Sequence, residues 1–219
     1  TASDKKVEKI IIEELQKARP NYSILSEEIG EIKNDSEFKW IIDPIDGTAN
    51  FLHGIPHFAI SIGLEQNSEI ICGIIYDPIK DEMFTAEKGN GSYLNNQRMR
   101  VSSRSKLKDC IISTGGPAYD SRDKELVLKE YKNFSSEALI PIRKMGSASL
   151  DMAYVAAGRC DGFWQRDLNY WDIAAGIILI KESGGYVTDF SGHNEYIENK
   201  TLIAANSKIN GEMIAVLGS

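Results

Sequence analysis

Cysteine is scarce in these 219 residues: Cys72, Cys110 and Cys160 are odd in number, far apart and outside any CxxC spacing. That excludes a disulfide scaffold and fits reduced, buried thiols in a cytosolic, cytoplasmic protein. Long apolar runs are missing too. The longest, Ile70 to Ile75 and Ala174 to Ile180, fall far short of the ~20 residues a membrane helix needs, so no membrane partner is expected. Basic residues are outnumbered, with 25 Lys and Arg against 32 Asp and Glu and a net charge of −7. They cluster only in short groups such as Arg98 to Lys108, which argues against direct nucleic-acid binding. Histidine is sparse, and His53, His57 and His193 form neither HxH nor HExxH, so a zinc site is not expected. What is present is 42% apolar and 26% charged residues, enough for a large core in one globular unit. The first residue is Thr rather than Met, which reads as a start inside a longer protein.

Apolar residues at helical spacing from Asp4 to Ala18, with Ser3 as N-cap and Pro20 as stop, predict an amphipathic helix. Strands are expected at Ser23 to Ser26, Lys39 to Ile42, Met83 to Glu87, Ser92 to Leu94 and Asp109 to Thr114. Phe58 to Leu64 and Glu69 to Tyr76 predict a hairpin about Gln66-Asn67-Ser68, and Gly115-Gly116-Pro117 a turn. After Arg122 the pattern alternates. Helices are predicted over Asp123 to Phe134, Ser147 to Gly158, Trp171 to Ser183 and Lys208 to Leu217; strands over Leu139 to Lys144, Asp161 to Gln165, Tyr186 to Asp189 and Thr201 to Ala205. The reading is a mixed α/β chain, strand-rich over residues 1–122 and α/β over 123–219, with a cleft between the halves as a natural ligand site.

The chemistry concentrates in Trp40-Ile41-Ile42-Asp43-Pro44-Ile45-Asp46-Gly47-Thr48-Ala49-Asn50-Phe51, where an apolar strand runs out into two carboxylates. Pro44 fixes its own φ and biases Asp43 towards extended backbone, while Gly47 and Thr48 offer N–H groups where a helix can begin. Acids beside amide donors suit a metal-held phosphate. For a bare DxxD, an Asp-rich turn capping a helix is the commoner outcome. Glu27-Glu28, after a strand, and Asp172, at a helix start, add acids to the set; singly they read as a solvated loop acid and as dipole compensation.

Ile42-Asp43-Pro44-Ile45-Asp46-Gly47-Thr48-Ala49-Asn50-Phe51 resembles the first signature of the inositol monophosphatase family, and Trp171-Asp172-Ile173-Ala174-Ala175-Gly176 its second. The likeness continues through Thr1 to Glu8, Ser26-Glu27-Glu28 and Gly146-Ser147-Ala148, and Gly146 to Gly162 is most similar to the bacterial extragenic-suppressor (SuhB-like) branch. The resemblance implies one layered αβαβα domain over residues 1–219, lacking the family's N-terminal helical segment. It implies a Mg²⁺-dependent, Li⁺-sensitive phosphomonoesterase with two or three Mg²⁺ per site, held by Glu27, Asp43, the Ile45 carbonyl, Asp46 and Asp172, with Asp4 beside a weaker position.

By the same resemblance, a metal-activated water attacks phosphorus, Thr48 linked to Asp4 positions that water, and Asp46 and Glu27 belong to the catalytic group. Gly47 and Thr48 hold phosphate oxygens, while Asp46, Gly146, Ser147, Ala148, Gln165 and Asp172 meet a small phosphorylated polyol. Gln165 stands where many members have a ring-binding Glu, which keeps a sugar bisphosphate, 3′-phosphoadenosine phosphate or NADP open as substrates. A homodimer is implied, as is a regulatory partnership with transcription antitermination factors and RNA polymerase. Two other phosphatase patterns fail. The nucleophile of a DxDGT motif would fall on Pro44, and Cys160 to Arg166 encloses bulky residues where a cysteine phosphatase needs a tight amide loop.

Overall fold

The computed structural model describes residues 1–116, 124–137 and 140–218. Pro117, Arg122, Asp123 and Leu139, at the edges of expected elements, lie outside the described residues. Helix α1 (Ala2–Ala18) is capped by Thr1, whose hydroxyl accepts the Asp4 N–H at 3.3 Å, rather than by Ser3. Its buried residues are Asp4, Glu8 and Ile12 at i, i+4 and i+8, so two of the three are acids, while Ile10 is exposed.

Strands β1 (Ser23–Ser26), β2 (Gly30–Ile32), β3 (Phe38–Asp46), β4 (Ala59–Gln66), β5 (Glu69–Asp77), β6 (Glu82–Glu87), β7 (Gly91–Leu94) and β8 (Gln97–Arg98) form one sheet in the order β2-β1-β3-β4-β5-β6-β7-β8. All neighbours run antiparallel except β1 and β3. The expected hairpin is β4–β5, turning at Asn67 and Ser68, both with positive φ as a two-residue turn of this hand requires.

The second sheet has the order β10-β9-β11-β13-β12, from β9 (Ile112–Thr114), β10 (Ile142–Arg143), β11 (Gly162–Arg166), β12 (Tyr186–Thr188) and β13 (Thr201–Ala205). Strand β9 is shorter than expected because a 3-10 turn over Leu107–Asp109 occupies the preceding residues. Helices α3 (Lys124–Lys132), α4 (Ala148–Ala156), α5 (Tyr170–Glu182) and α6 (Asn210–Gly218) match the predicted ones, with ends shifted by a few residues. A short α2 (Thr48–Leu52) follows β3.

Three apolar clusters define the layers. Ile12 of α1 packs on Ile24 and Ile42 of the large sheet. Leu150, Met152, Ile173 and Ile178 of α4 and α5 join Ile41, Ile75 and Phe84 of that sheet to Phe163 and Ala204 of the small one. Ile112, Trp164 and Ile203 meet Met213 of α6 on the far side. The result is an αβαβα sandwich with α4 and α5 as its middle layer.

Helix α5 approaches β4 and β5 closely at Gly63 and Gly73, which face each other across the ladder. A Cβ on Gly73 would lie 2.5 Å from Ile178 Cγ2 and 2.8 Å from the Ala175 carbonyl oxygen. That contact fixes the height of α5, and with it Asp172 in its first turn.

Candidate active site

Strand β3 continues beyond the expected Ile42 to Asp46, and its register against β4 shifts between Asp43 and Asp46. Such a bulge re-aims side chains, and Pro44, with no N–H to give the ladder, sits inside it. Asp43 turns back to accept the Ile45 N–H at 3.0 Å. Gly47 then reverses the chain at φ +92, a conformation that strains any residue with a Cβ, and the carbonyl oxygens of Gly146 and His57 would crowd such an atom at 3.1 and 3.2 Å. Helix α2 starts at Thr48, as the sequence suggested, with Gly47 as its N-cap and no side chain capping it, so the Asp-rich segment leads into a helix that its acids do not cap. Those acids point elsewhere.

Asp46 is gripped from the other half of the chain. Its Oδ2 accepts the Ser147 hydroxyl at 2.5 Å, the Ser149 N–H at 2.7 Å and the Ser149 hydroxyl. Ser147 is also the N-cap of α4, accepting the Leu150 N–H. Thr48 donates its hydroxyl towards the Ile45 carbonyl at 3.0 Å and Asp4 Oδ1 at 3.3 Å. Asp172, third residue of α5, accepts the Asn169 N–H at 2.7 Å, so the dipole-compensating role foreseen for it is filled together with membership of the acid group.

Burial and mutual repulsion mark Glu27, Asp43, Asp46 and Asp172 as one electrostatic unit. Asp43 is held well above the usual carboxylate range by burial, then by Asp46, Glu27 and Asp172. Burial, then Asp46 and Glu27, push Asp172 up to about 7. Glu27, at the open rim, is raised by partial burial and by Asp4, a rise opposed by its hydrogen bond with Asp43. Asp46 is raised by burial against the pull of its Ser147, Ser149 and Ala148 donors.

Among the described residues, no three His, Cys, Asp or Glu side chains form a ready-made cage for an ion. The donor set still fits a hard divalent cation: all oxygen, largely buried, and carrying charge that only a counter-charge relieves. The carboxylates would have to turn in on it. A pH signature follows. Because the folded-state pKa values are raised, the stabilising contribution is fully present below the unfolded carboxylate value of ~3.9 and is lost as pH rises, for Asp172 through about 7. The chain in chelator should melt at a higher temperature at pH 5.5 than at pH 8, with added Mg²⁺ narrowing the gap. Equal melting at both pH values without metal would contradict the coupling.

Gln165 lies on β11 with its amide over Gly115, where a Cβ would meet its Oε1 at 2.0 Å. Among the described residues, no hydrogen bond joins it to the acids. Two residues the sequence reading passed over hold the site together. Asn50 donates to the carbonyls of His57 at 2.7 Å and Met145 at 2.8 Å, tying the Gly47 turn to the Gly146 turn. Glu8 is buried at 1% exposure under the turn that carries Glu27. Only the signature context of Asn50 hinted at such a role, and nothing in the helical pattern singled out Glu8.

The family model described as inositol monophosphatase family matches residues 1–217. The chain belongs to that family. "Inositol-1-monophosphatase" of Rhizobium meliloti (strain 1021) is 50% identical over 208 residues, covering 94% of this chain and 78% of the relative. "Nus factor SuhB" of Pseudomonas aeruginosa (strain ATCC 15692 / DSM 22644 / CIP 104116 / JCM 14847 / LMG 12228 / 1C / PRS 101 / PAO1) is 42% identical over 213 residues, covering 95% of this chain and 78% of the relative. Among solved structures, the extragenic suppressor protein suhB from Bartonella henselae superposes with a TM-score of 0.92 at 49% identity, covering 99% of this chain and 87% of that one. Inositol monophosphatase from Anabaena (Nostoc) sp. PCC 7120 gives 0.93 at 37% identity, covering 99% and 86%. This inositol monophosphatase family member is thus an enzyme, an inositol-phosphate phosphatase, with the fold of its class. No helix among its described residues is long and apolar enough to cross a membrane, and its three cysteines are free.

Proposed function

We propose that this chain hydrolyses myo-inositol 1-phosphate to inositol and phosphate in a Mg²⁺-dependent reaction. The observation that supports it most is the grip of Ser147 and Ser149 on Asp46, which joins the acid strand to the expected polyol-binding segment Gly146, Ser147 and Ala148. Glu27, Asp43, Asp46, Asp172 and the Ile45 carbonyl would hold Mg²⁺, two or three ions, with Asp4 beside a weaker position. Bound there, Mg²⁺ supplies counter-charge for the phosphate and a lowered pKa for an attacking water.

The chain's own groups do the placing. Backbone N–H groups of Gly47 and Thr48, at the turn into α2, receive phosphate oxygens. Thr48 Oγ1, near Asp4 Oδ1, orients the attacking water and passes its proton towards that carboxylate. Ser147 is largely committed to Asp46, so its polyol contact runs through its position at the start of α4.

The test is phosphate release from myo-inositol 1-phosphate against a sugar bisphosphate, 3′-phosphoadenosine phosphate and NADP, with Mg²⁺ varied and Li⁺ added. Mg²⁺-dependent, Li⁺-inhibited preference for the inositol ester is expected; preference for another ester would keep the mechanism and change the substrate. Gln165→Glu should alter the ratio of kcat/KM values among these esters by roughly tenfold, the scale of a single hydrogen bond to the substrate, without moving the Mg²⁺ midpoint. An equal loss on every ester would assign Gln165 to packing against Gly115.

Relatives named Nus factor SuhB at 40–42% identity support a second role, association with antitermination factors and RNA polymerase. Co-elution with purified RNA polymerase and Nus factors on size exclusion tests it. The same column reads whether the chain is the homodimer expected of it.

A further inference from the structure

We infer that Glu8 is a positioning residue for the metal-binding acid Glu27, an inference that rests on the phosphatase reading above. Its carboxylate sits in the i+4 place after Asp4 on α1, and both side chains are only 1% exposed. A single oxygen, Oε1, accepts the Glu28 N–H at 3.1 Å, the Ile29 N–H at 3.3 Å and the hydroxyl of the fully buried Ser26. These donors bracket Glu27 on both sides. The Glu27 N–H itself goes to the carbonyl of Ile42, next to Asp43, at 3.3 Å. Glu27 therefore stands on a short arch with one foot on β3 and the other on Glu8.

The arch explains why an acid is buried on a helix whose exposed face carries many charges. Two backbone N–H groups and a buried hydroxyl would lose their acceptor without it, and hydrogen bonds to a charged acceptor are the stronger kind. It also makes α1 the common reference for two parts of the site. Asp4 meets Thr48, which is assigned to the water, while one turn along Glu8 sets the turn bearing Glu27. Groups that orient a metal ligand usually change metal affinity by 10–100-fold when removed.

The experiment is calorimetric titration of the metal-free full chain with Mg²⁺ and with Mn²⁺, alongside phosphate release at saturating metal. Glu8→Ala is expected to weaken metal binding by about 10–100-fold, with kcat at saturating Mg²⁺ far less affected. Glu8→Gln keeps an acceptor oxygen for the two N–H groups and should lie within about threefold of wild type. Should Glu8→Ala fail to fold, Ser26→Ala, which removes only the donor hydroxyl, is expected to weaken metal binding several-fold. A purely structural Glu8 would lower the melting temperature and leave the metal midpoint in place; that midpoint in a folded Glu8→Ala, or in Ser26→Ala, overturns the inference. Wild-type chain that neither binds Mg²⁺ nor releases phosphate would overturn the phosphatase reading as well.

Discussion

Asp43→Asn is expected to lower Mg²⁺-dependent phosphate release by at least ~10³-fold while raising the melting temperature of the metal-free chain at pH 8. Activity falls because the substitution withdraws one charged oxygen donor from the proposed metal set, and metal-borne stabilisation of transition-state charge is worth several kcal/mol. Stability rises because Asp43 is 2% exposed and its ionisation is opposed by burial and by Asp46, Glu27 and Asp172. The neutral amide removes that repulsion and still accepts the Ile45 N–H. Below about pH 4, where the acid is protonated in both folded and unfolded chains, the two proteins should differ little in stability. Asp172→Asn should behave alike, with its stability gain fading as pH falls below about 7. Phosphate release together with calorimetry at pH 4, 6 and 8 reads both arms; near-normal turnover in either variant would end the metal assignment.

Gly73→Ala is the second large effect. The added Cβ would meet Ile178 Cγ2 at 2.5 Å and, more seriously, the backbone oxygen and Cα of Ala175 at 2.8 and 2.9 Å. A side-chain tip can rotate away; a helix backbone can only lift. Overpacking of this kind costs roughly 1–3 kcal/mol, or about 2–12 °C in a chain of this size. Because α5 begins with Tyr170, Trp171 and Asp172, lifting it also moves a site acid, so activity should fall in the variant at temperatures where it remains folded. Gly211→Ala is the matched control: nothing lies within 4 Å of its Cβ position, and a helical Ala should be neutral or mildly stabilising. Equal behaviour of the two variants would remove Gly73 from the helix–sheet contact.

Much of the site was legible because its signals are local. The run from Trp40 to Phe51 carries strand, proline, paired acids, glycine and threonine in one stretch, and each acts within a few residues of itself: Asp43 on Ile45, Thr48 on Ile45, Gly47 as the start of α2. Alternation after Arg122 gave a mixed α/β chain with a layered second half, and the αβαβα order came from the family resemblance. Edge strands β2 and β8 were missed because three and two residues leave no alternation to read. Ser3 yielded the cap to Thr1 because either hydroxyl precedes the same helical pattern. Glu8 was invisible for a different reason: on an amphipathic helix a glutamate reads as solvated, and its burial depends on a turn 18 to 21 residues later folding over it. Asn50 likewise finds Met145 only 95 residues further along.

The grip on Asp46 bears on when the site comes into being during synthesis. Ser147 and Ser149 follow Asp46 by 101 and 103 residues, and Asp172 comes later again. A nascent chain that has released β3 from the ribosome carries Asp46 without the Ser147 and Ser149 donors that hold it, and loop closure over such a span is slow. The complete acid group of this inositol monophosphatase family member therefore requires α4 and α5, and the first sheet alone does not assemble it.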